Sequence, residues 1–196
     1  MPKKVDRRAE IADALWRVTR RDGWEAVTMR QVAAEAGVSV GMVQHHFASK
    51  DQMLRFALDK IGTDYGGRIA ARIGALPEPR DPREVVRIVL TELLPGEGEG
   101  HVEVQAAAAF LGRAVLHPEI AAPMVAAGAR LRDYVAAQIR TARPDADADL
   151  DAAGLLALAD GLIAHLLTGR LTAEMAHAIL AAQLDRVFGG SDAAQH

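Results

Sequence analysis

Apolar positions along this chain recur at three- and four-residue steps from near its start to near its end, the period of helices rather than strands. Ile11, Leu15 and Val18, with Ala14 beside them, mark one face of a helix from about Asp6 to Asp22, and Gly23 follows as a left-handed cap. Thr28 is the N-cap of a short helix, MRQVAAEA, whose Val32, Ala33 and Ala36 face inward. Gly37 breaks that helix, and Ser39 can cap a third one in the stretch SVGMVQHHFASK, residues 39–50. Met42, Val43 and Phe47 are apolar there, with Val43 and Phe47 four apart on one face, while Gln44, His45 and His46 occupy the other side. Ser49 caps a fourth, long helix with Leu54, Leu58, Ile61 and Tyr65 as its buried stripe.

Pro77, Pro79 and Pro82 mark the joint after that helix. Helical patterns follow at 83–94, at about His101 to Leu116 after the linker GEGEG, and at about Glu119 to Ala142. Two last helices, at about 148–168 and 172–188, are split by Gly169, and the tail GGSDAAQH carries no pattern. No internal repeat and no strand signal interrupts the series. The expected fold is all-α, with about nine helices.

Composition supports this. Half of the 196 residues are hydrophobic but aromatics are only 4%, so the core is built from Ala, Leu, Val and Ile, and Ala and Leu favour helices. The absence of cysteine excludes disulfides and thiolate metal sites. The start MPKKVDRRAE lacks the apolar core of a signal peptide, and no uninterrupted apolar stretch approaches the roughly 18 residues of a membrane span. A soluble, cytoplasmic protein without membrane contact is expected.

The net charge of −3 hides an asymmetry. Residues 1–60 hold 11 Lys+Arg against 8 Asp+Glu; residues 61–196 hold 12 against 18. A basic head on an acidic body points a polyanion at the head.

The chemistry of the head agrees. Two short helices joined by AGVS, with Gly37 at the turn, make a helix-turn-helix. Val32, Ala33, Val38, Val43 and Phe47 must pack onto the helices on either side, leaving Val40, Gly41, Gln44 and His45 outward. A glycine for close approach, an amide that can pair with adenine, and an imidazole that can donate to guanine or phosphate suit a major groove. Lys50, at the start of the fourth helix, is placed for the DNA backbone. A metal site at His45 and His46 is disfavoured, because adjacent helical positions diverge by about 100° and no third ligand follows.

The run from Thr28 to Leu54, with its A-x-x-A-G-V-S-x-G-x-x-x-x-H-F-x-S-K pattern, resembles the DNA-binding domain of the tetracycline-repressor (TetR) family over about residues 8–68. The resemblance implies a homodimeric transcriptional regulator, usually a repressor released by a small ligand. It places Thr28 and His46 at phosphates, Arg30, Val40, Gln44 and His45 at base-reading or groove-lining positions, and Lys50 at the backbone. Gln44 departs from the tyrosine usual at its position, so the operator sequence does not carry over. LHPEI (116–120), LADGL (158–162) and the QLDRVFG ending resemble the body of the choline-responsive betaine-synthesis repressors.

The domains expected are thus a DNA-binding unit at 8–68, with the motif at about 31–50, and a helical ligand-binding and dimerisation domain at 69–190. In the latter, Leu155, Leu158, Leu162 and Leu166 form a stripe that Ala159, Ile163 and Leu167 widen, and Ile179 and Leu184 belong to a similar surface on the last helix. Two apolar faces of this width suit a twofold four-helix dimer interface or, alternatively, burial within a single chain. Gln105, Phe110, Arg113, His117, Tyr134 and His165 are the polar and aromatic candidates for a pocket taking a small apolar or amphipathic effector.

The chain reads as a sequence-specific regulator that binds double-stranded operator DNA, with no cofactor and no metal. The other readings are an activator without small-molecule control, a helical scaffold, and an enzyme. The last lacks a nucleophile–base motif, a phosphate loop and metal-ligand spacing.

Overall fold

The structure, a computed structural model, describes residues 6–95, 104, 107–108 and 118–189. Among the described residues are eight α-helices and no strand: α1 (Arg7–Asp22), α2 (Met29–Glu35), α3 (Val40–His46), α4 (Lys50–Gly74), α5 (Pro82–Leu93), α6 (Pro118–Ala142), α7 (Ala148–Leu167) and α8 (Ala173–Phe188). The all-α expectation holds. Within the helix expected at 101–116, Val104, Ala107 and Ala108 are described, and they are helical.

Local chemistry sets most of the boundaries. The Asp6 carboxylate accepts from the amides of Arg8 and Ala9 at the start of α1, and Gly23 ends the helix at φ 78°. Asp81 caps α5, where Pro82 occupies a first-turn position that needs no amide donor. Asp147 and Thr172 cap α7 and α8 in the same manner. Gly169, at φ 68°, takes the left-handed conformation that separates those two helices.

The chain divides into two compact units: among the described residues, the first holds 6–67 with 104 and 107–108, and the second holds 68–95 and 118–189. The core of the first is Ile11, Leu15, Trp16 and Val18 of α1, Val32 and Ala33 of α2, Val43 of α3, then Phe47, and Met53, Leu54 and Ala57 of α4. Of the stripe expected on α4, Leu54 is buried, whereas Leu58, Ile61 and Tyr65 are half-buried. Two arginines of α1 converge on one acid of α2: Arg17 Nε lies 2.7 Å and Arg21 Nη1 3.0 Å from the Glu35 carboxylate. Exposed pairs of this kind add little energy singly, and here they link α1 to α2 beside the buried apolar contacts of Val32 and Ala33.

The second unit stacks α5 to α8 around Val86, Leu90, Val135, Ile139, Leu155, Leu162, Leu180 and Leu184. On α7 the buried positions are Ala148, Ala152, Leu155, Ala159 and Leu162, alternating steps of four and three that keep one face turned to the core.

This corrects part of the dimer expectation. Leu155 and Leu184 are fully buried and Leu162 is 3% exposed within a single chain, so these three are core residues out of a partner's reach. Leu158, Leu166 and Ile179 are half-buried against that core. The outward ridge of α7 is instead Ala153, Ala157, Asp160 and Ala164. By length and composition α7 could span a bilayer, and only 22% of that stretch is buried. Its inward leucines pack on three other helices, and Asp160 sits near its middle, where a bilayer would penalise a charge. It reads as a core helix with an uncovered apolar side.

Candidate nucleic-acid interface

The turn between α2 and α3 is built by backbone hydrogen bonds. The amides of Ala36, Gly37 and Val38 donate to the carbonyls of Val32, Ala34 and Ala33 at 2.9, 3.2 and 2.9 Å. Gly37 adopts φ 66°, a conformation a side chain would strain. Ser39 Oγ then accepts from the Met42 amide at 3.1 Å and starts α3.

Seven residues make too short a helix to persist alone. Packing holds it. Val43 and Phe47 are both completely buried. The Phe47 ring lies 5.5 Å from that of Phe56, and the Arg8 guanidinium sits over both, 5.1 Å and 4.4 Å from their centroids. The face opposite Val43 is thereby fixed outward.

Three of the four residues expected outward lie on that face, and Met42, which was not expected there, joins them. Gly41, Gln44 and His45 are exposed and Val40 is half-buried. Met42 is 41% exposed. At about 100° per residue, Gly41 and His45 occupy the middle of the outward sector, with Gln44 about 80° to one side of that middle and Met42 about 80° to the other. The sequence carried no signal for Met42, because an apolar residue beside Val43 reads equally well as core. A Cβ on Gly41 would meet nothing closer than Ser39 Oγ at 3.9 Å, so the fold itself does not require glycine here.

The flanking residues are placed as follows. Thr28 is the exposed N-cap of α2, and its hydroxyl serves a reciprocal capping box with Gln31: it accepts from the Gln31 amide at 3.2 Å, while Gln31 Oε1 accepts from the Thr28 amide at 2.9 Å. Arg30 is exposed one residue into α2. His46 is half-buried, its ring edge-on to that of His45 at 5.2 Å. No group of three or more possible metal ligands occurs among the described residues.

Lys50 differs from the expectation. Its ammonium turns inward, donating to the Trp24 carbonyl at 2.8 Å and the Glu25 carbonyl at 3.4 Å, and lies 4.2 Å from the centre of the Trp24 ring. Two carbonyls and an aromatic face outcompete solvent for this charge. Lys50 therefore braces the loop after α1 against the start of α4.

The expected effector pocket is only partly described. Gln105, Phe110, Arg113 and His117 lie outside the described residues. Tyr134 is 41% exposed and His165 half-buried. A cleft of about 300 Å³ in the second unit is lined by Asp81, Arg83, Ala142, Asp185, Phe188 and Gly189, and neither Tyr134 nor His165 contributes to it.

Comparison with known proteins places this geometry. Residues 11–56 match the pattern of bacterial regulatory proteins of the TetR family, and residues 82–189 match the C-terminal domain of BetI-type transcriptional repressors. The chain is 32% identical over 173 residues to the HTH-type transcriptional regulator PksA of Bacillus subtilis, covering 84% of this chain and 82% of that one. It is also 32% identical over 160 residues to the regulator BetI of Rhizobium meliloti, covering 80% and 75%. Among solved structures, a putative regulator from Saccharomonospora viridis in complex with choline superposes with a TM-score of 0.81 at 28% identity, over 91% of this chain and 95% of that one. A transcriptional regulator from a Rhodococcus species gives a TM-score of 0.77 at 30% identity, over 96% and 99%.

Proposed function

The chain belongs to the TetR family of bacterial transcriptional regulators, and from that premise we propose that it acts as a dimeric repressor whose α3 reads an operator and whose second unit takes a releasing effector. One observation carries the reading. α3 buries Val43 and turns Gly41, Met42, Gln44 and His45 outward on a frame held rigid by Phe47, Phe56 and Arg8. A polar, glycine-centred helix face that its own fold leaves open is suited to the major groove.

Within that reading Gln44 pairs with a base edge, and His45 contacts a base or phosphate beside it. Val40 lines the groove, and Gly41 lets the backbone approach. Thr28 and His46 lie toward phosphates, with Arg30 reaching in from α2. Lys50 supports the unit rather than touching DNA. The domains are the DNA-binding unit at 8–68 and the effector and dimer domain at 69–190. The uncovered side of α7 is the basis for the homodimer, which sets two reading heads on two half-sites. The protein works in the cytoplasm and has no enzymatic role.

The effector is a small apolar or amphipathic molecule, and choline is the first to test because a related structure holds it. The experiment is a gel shift with the DNA flanking the protein's own gene, followed by titration of choline and apolar compounds. A discrete complex that resists random competitor DNA and that one of these molecules dissolves is the expected result. Equal loss of the complex to operator and random competitor contradicts the reading.

A further inference from the structure

We infer that Met42 reads the methyl group of a thymine, so that each operator half-site carries a thymine at a fixed distance from the base read by Gln44. This rests on the operator-reading function proposed above and adds a chemical specificity to it.

Met42 is the only exposed large hydrophobic residue of the first unit among the described residues. It is not a spare core residue, because the inward side of α3 is already filled by Val43, with Phe47 following, both at 0% exposure. It stands instead at the edge of the outward sector, across Gly41 and His45 from Gln44. A thioether is only a weak acceptor and donates nothing, so it cannot answer the amino or carbonyl groups of a base edge. The thymine C5-methyl is the one apolar group that the four bases present in the major groove. An unbranched side chain with three rotatable bonds can settle on such a methyl without demanding a single geometry. Because Met42 and Gln44 flank the centre of α3 on opposite sides, they address different base pairs.

The test uses the full-length protein and the duplex sequence it selects from a random library. Each thymine of the selected site is replaced in turn by deoxyuridine, which removes one methyl and leaves the pairing edge intact. At one thymine per half-site, deoxyuridine should weaken binding about three- to fivefold, the effect of one buried methyl-sized group. Met42→Ala should lower affinity for the thymine duplex by a similar factor and bind the thymine and deoxyuridine duplexes equally at that position. Gln44→Ala should still distinguish them. No deoxyuridine-sensitive thymine, or a sensitivity that survives Met42→Ala, overturns the inference. A scan of the unmodified protein that finds no sensitive thymine overturns the inference even where Met42→Ala folds poorly. Failure to select any sequence defeats the operator-reading function itself, whereas a selected sequence indifferent to every deoxyuridine defeats only the role of Met42.

Discussion

The Lys50 ammonium donates to the Trp24 carbonyl oxygen at 2.8 Å, across 26 residues of chain, and rests over the same residue's indole. One side chain thereby ties the loop between α1 and α2 to the first turn of α4, with α2 and α3 lying between those points in sequence. Removing it as Lys50→Met should cost about 1–3 kcal/mol of stability, from a charge-assisted hydrogen bond and a cation–π contact. The salt dependence of DNA binding should stay unchanged. Thermal melting with a salt titration of binding checks both; a slope lower by about one unit at unchanged stability would place the ammonium on a phosphate.

Gln44→Ala should weaken operator binding by roughly 1–3 kcal/mol while leaving binding to random DNA nearly as it was. The amide is exposed, so the fold has no need of it. Equal losses on both DNAs would show that Gln44 does not read a base.

Glu35 makes α1–α2 packing sensitive to acid. Hydrogen bonds from Arg17 and then Arg21 hold its carboxyl below the usual glutamate range, against a smaller opposing effect of burial. A carboxyl whose value is lowered on folding stabilises the protein fully above its unfolded-state value, and that stabilisation disappears as pH falls through its folded-state value. Glu35→Gln should lower stability at neutral pH and flatten the decline of melting temperature in acid. Parallel melting curves for the two proteins from neutral pH down to the glutamate range would remove Glu35 from this account.

The uncovered ridge of α7 and its buried side can be separated by substitution. Ala157→Arg adds a charge to the exposed ridge and should dissociate the dimer while each subunit keeps its helicity. Leu162→Asp puts an unpaired carboxylate into the core and should instead destabilise the subunit by several kcal/mol. Sedimentation paired with circular dichroism distinguishes the two outcomes. A dimer unaffected by Ala157→Arg would move the interface elsewhere.

The features legible in the sequence were those set by neighbours along the chain. Thr28, Ser39 and Ser49 each accept from an amide three residues on, as their positions predict, and Gly23, Gly37 and Gly169 take the positive φ angles that end or join helices. The outward placement of Gln44 and His45 followed because Val43 and Phe47 fix the opposite side. What depended on distant contacts was not legible. Nothing near Lys50 in sequence reveals the Trp24 carbonyl that captures it. The leucines of α7 have one periodicity whether they face their own core or a second subunit, and only the packing of α5, α6 and α8 assigns Leu155 and Leu162 to the core. Met42 was hidden for a related reason, since an apolar residue in a seven-residue helix gives no sign of which side it occupies.

The most direct measurement is the affinity ratio between a selected duplex and a scrambled one at physiological salt, for the unmodified protein and for a variant carrying Gln44→Ala with His45→Ala. The expected ratio for the unmodified protein is on the order of a thousand or more. In the variant this ratio should collapse while binding to the scrambled duplex persists. Equal affinity of the unmodified protein for the two duplexes, or a ratio untouched by the double substitution, would contradict the claim that the outward face of α3 reads DNA.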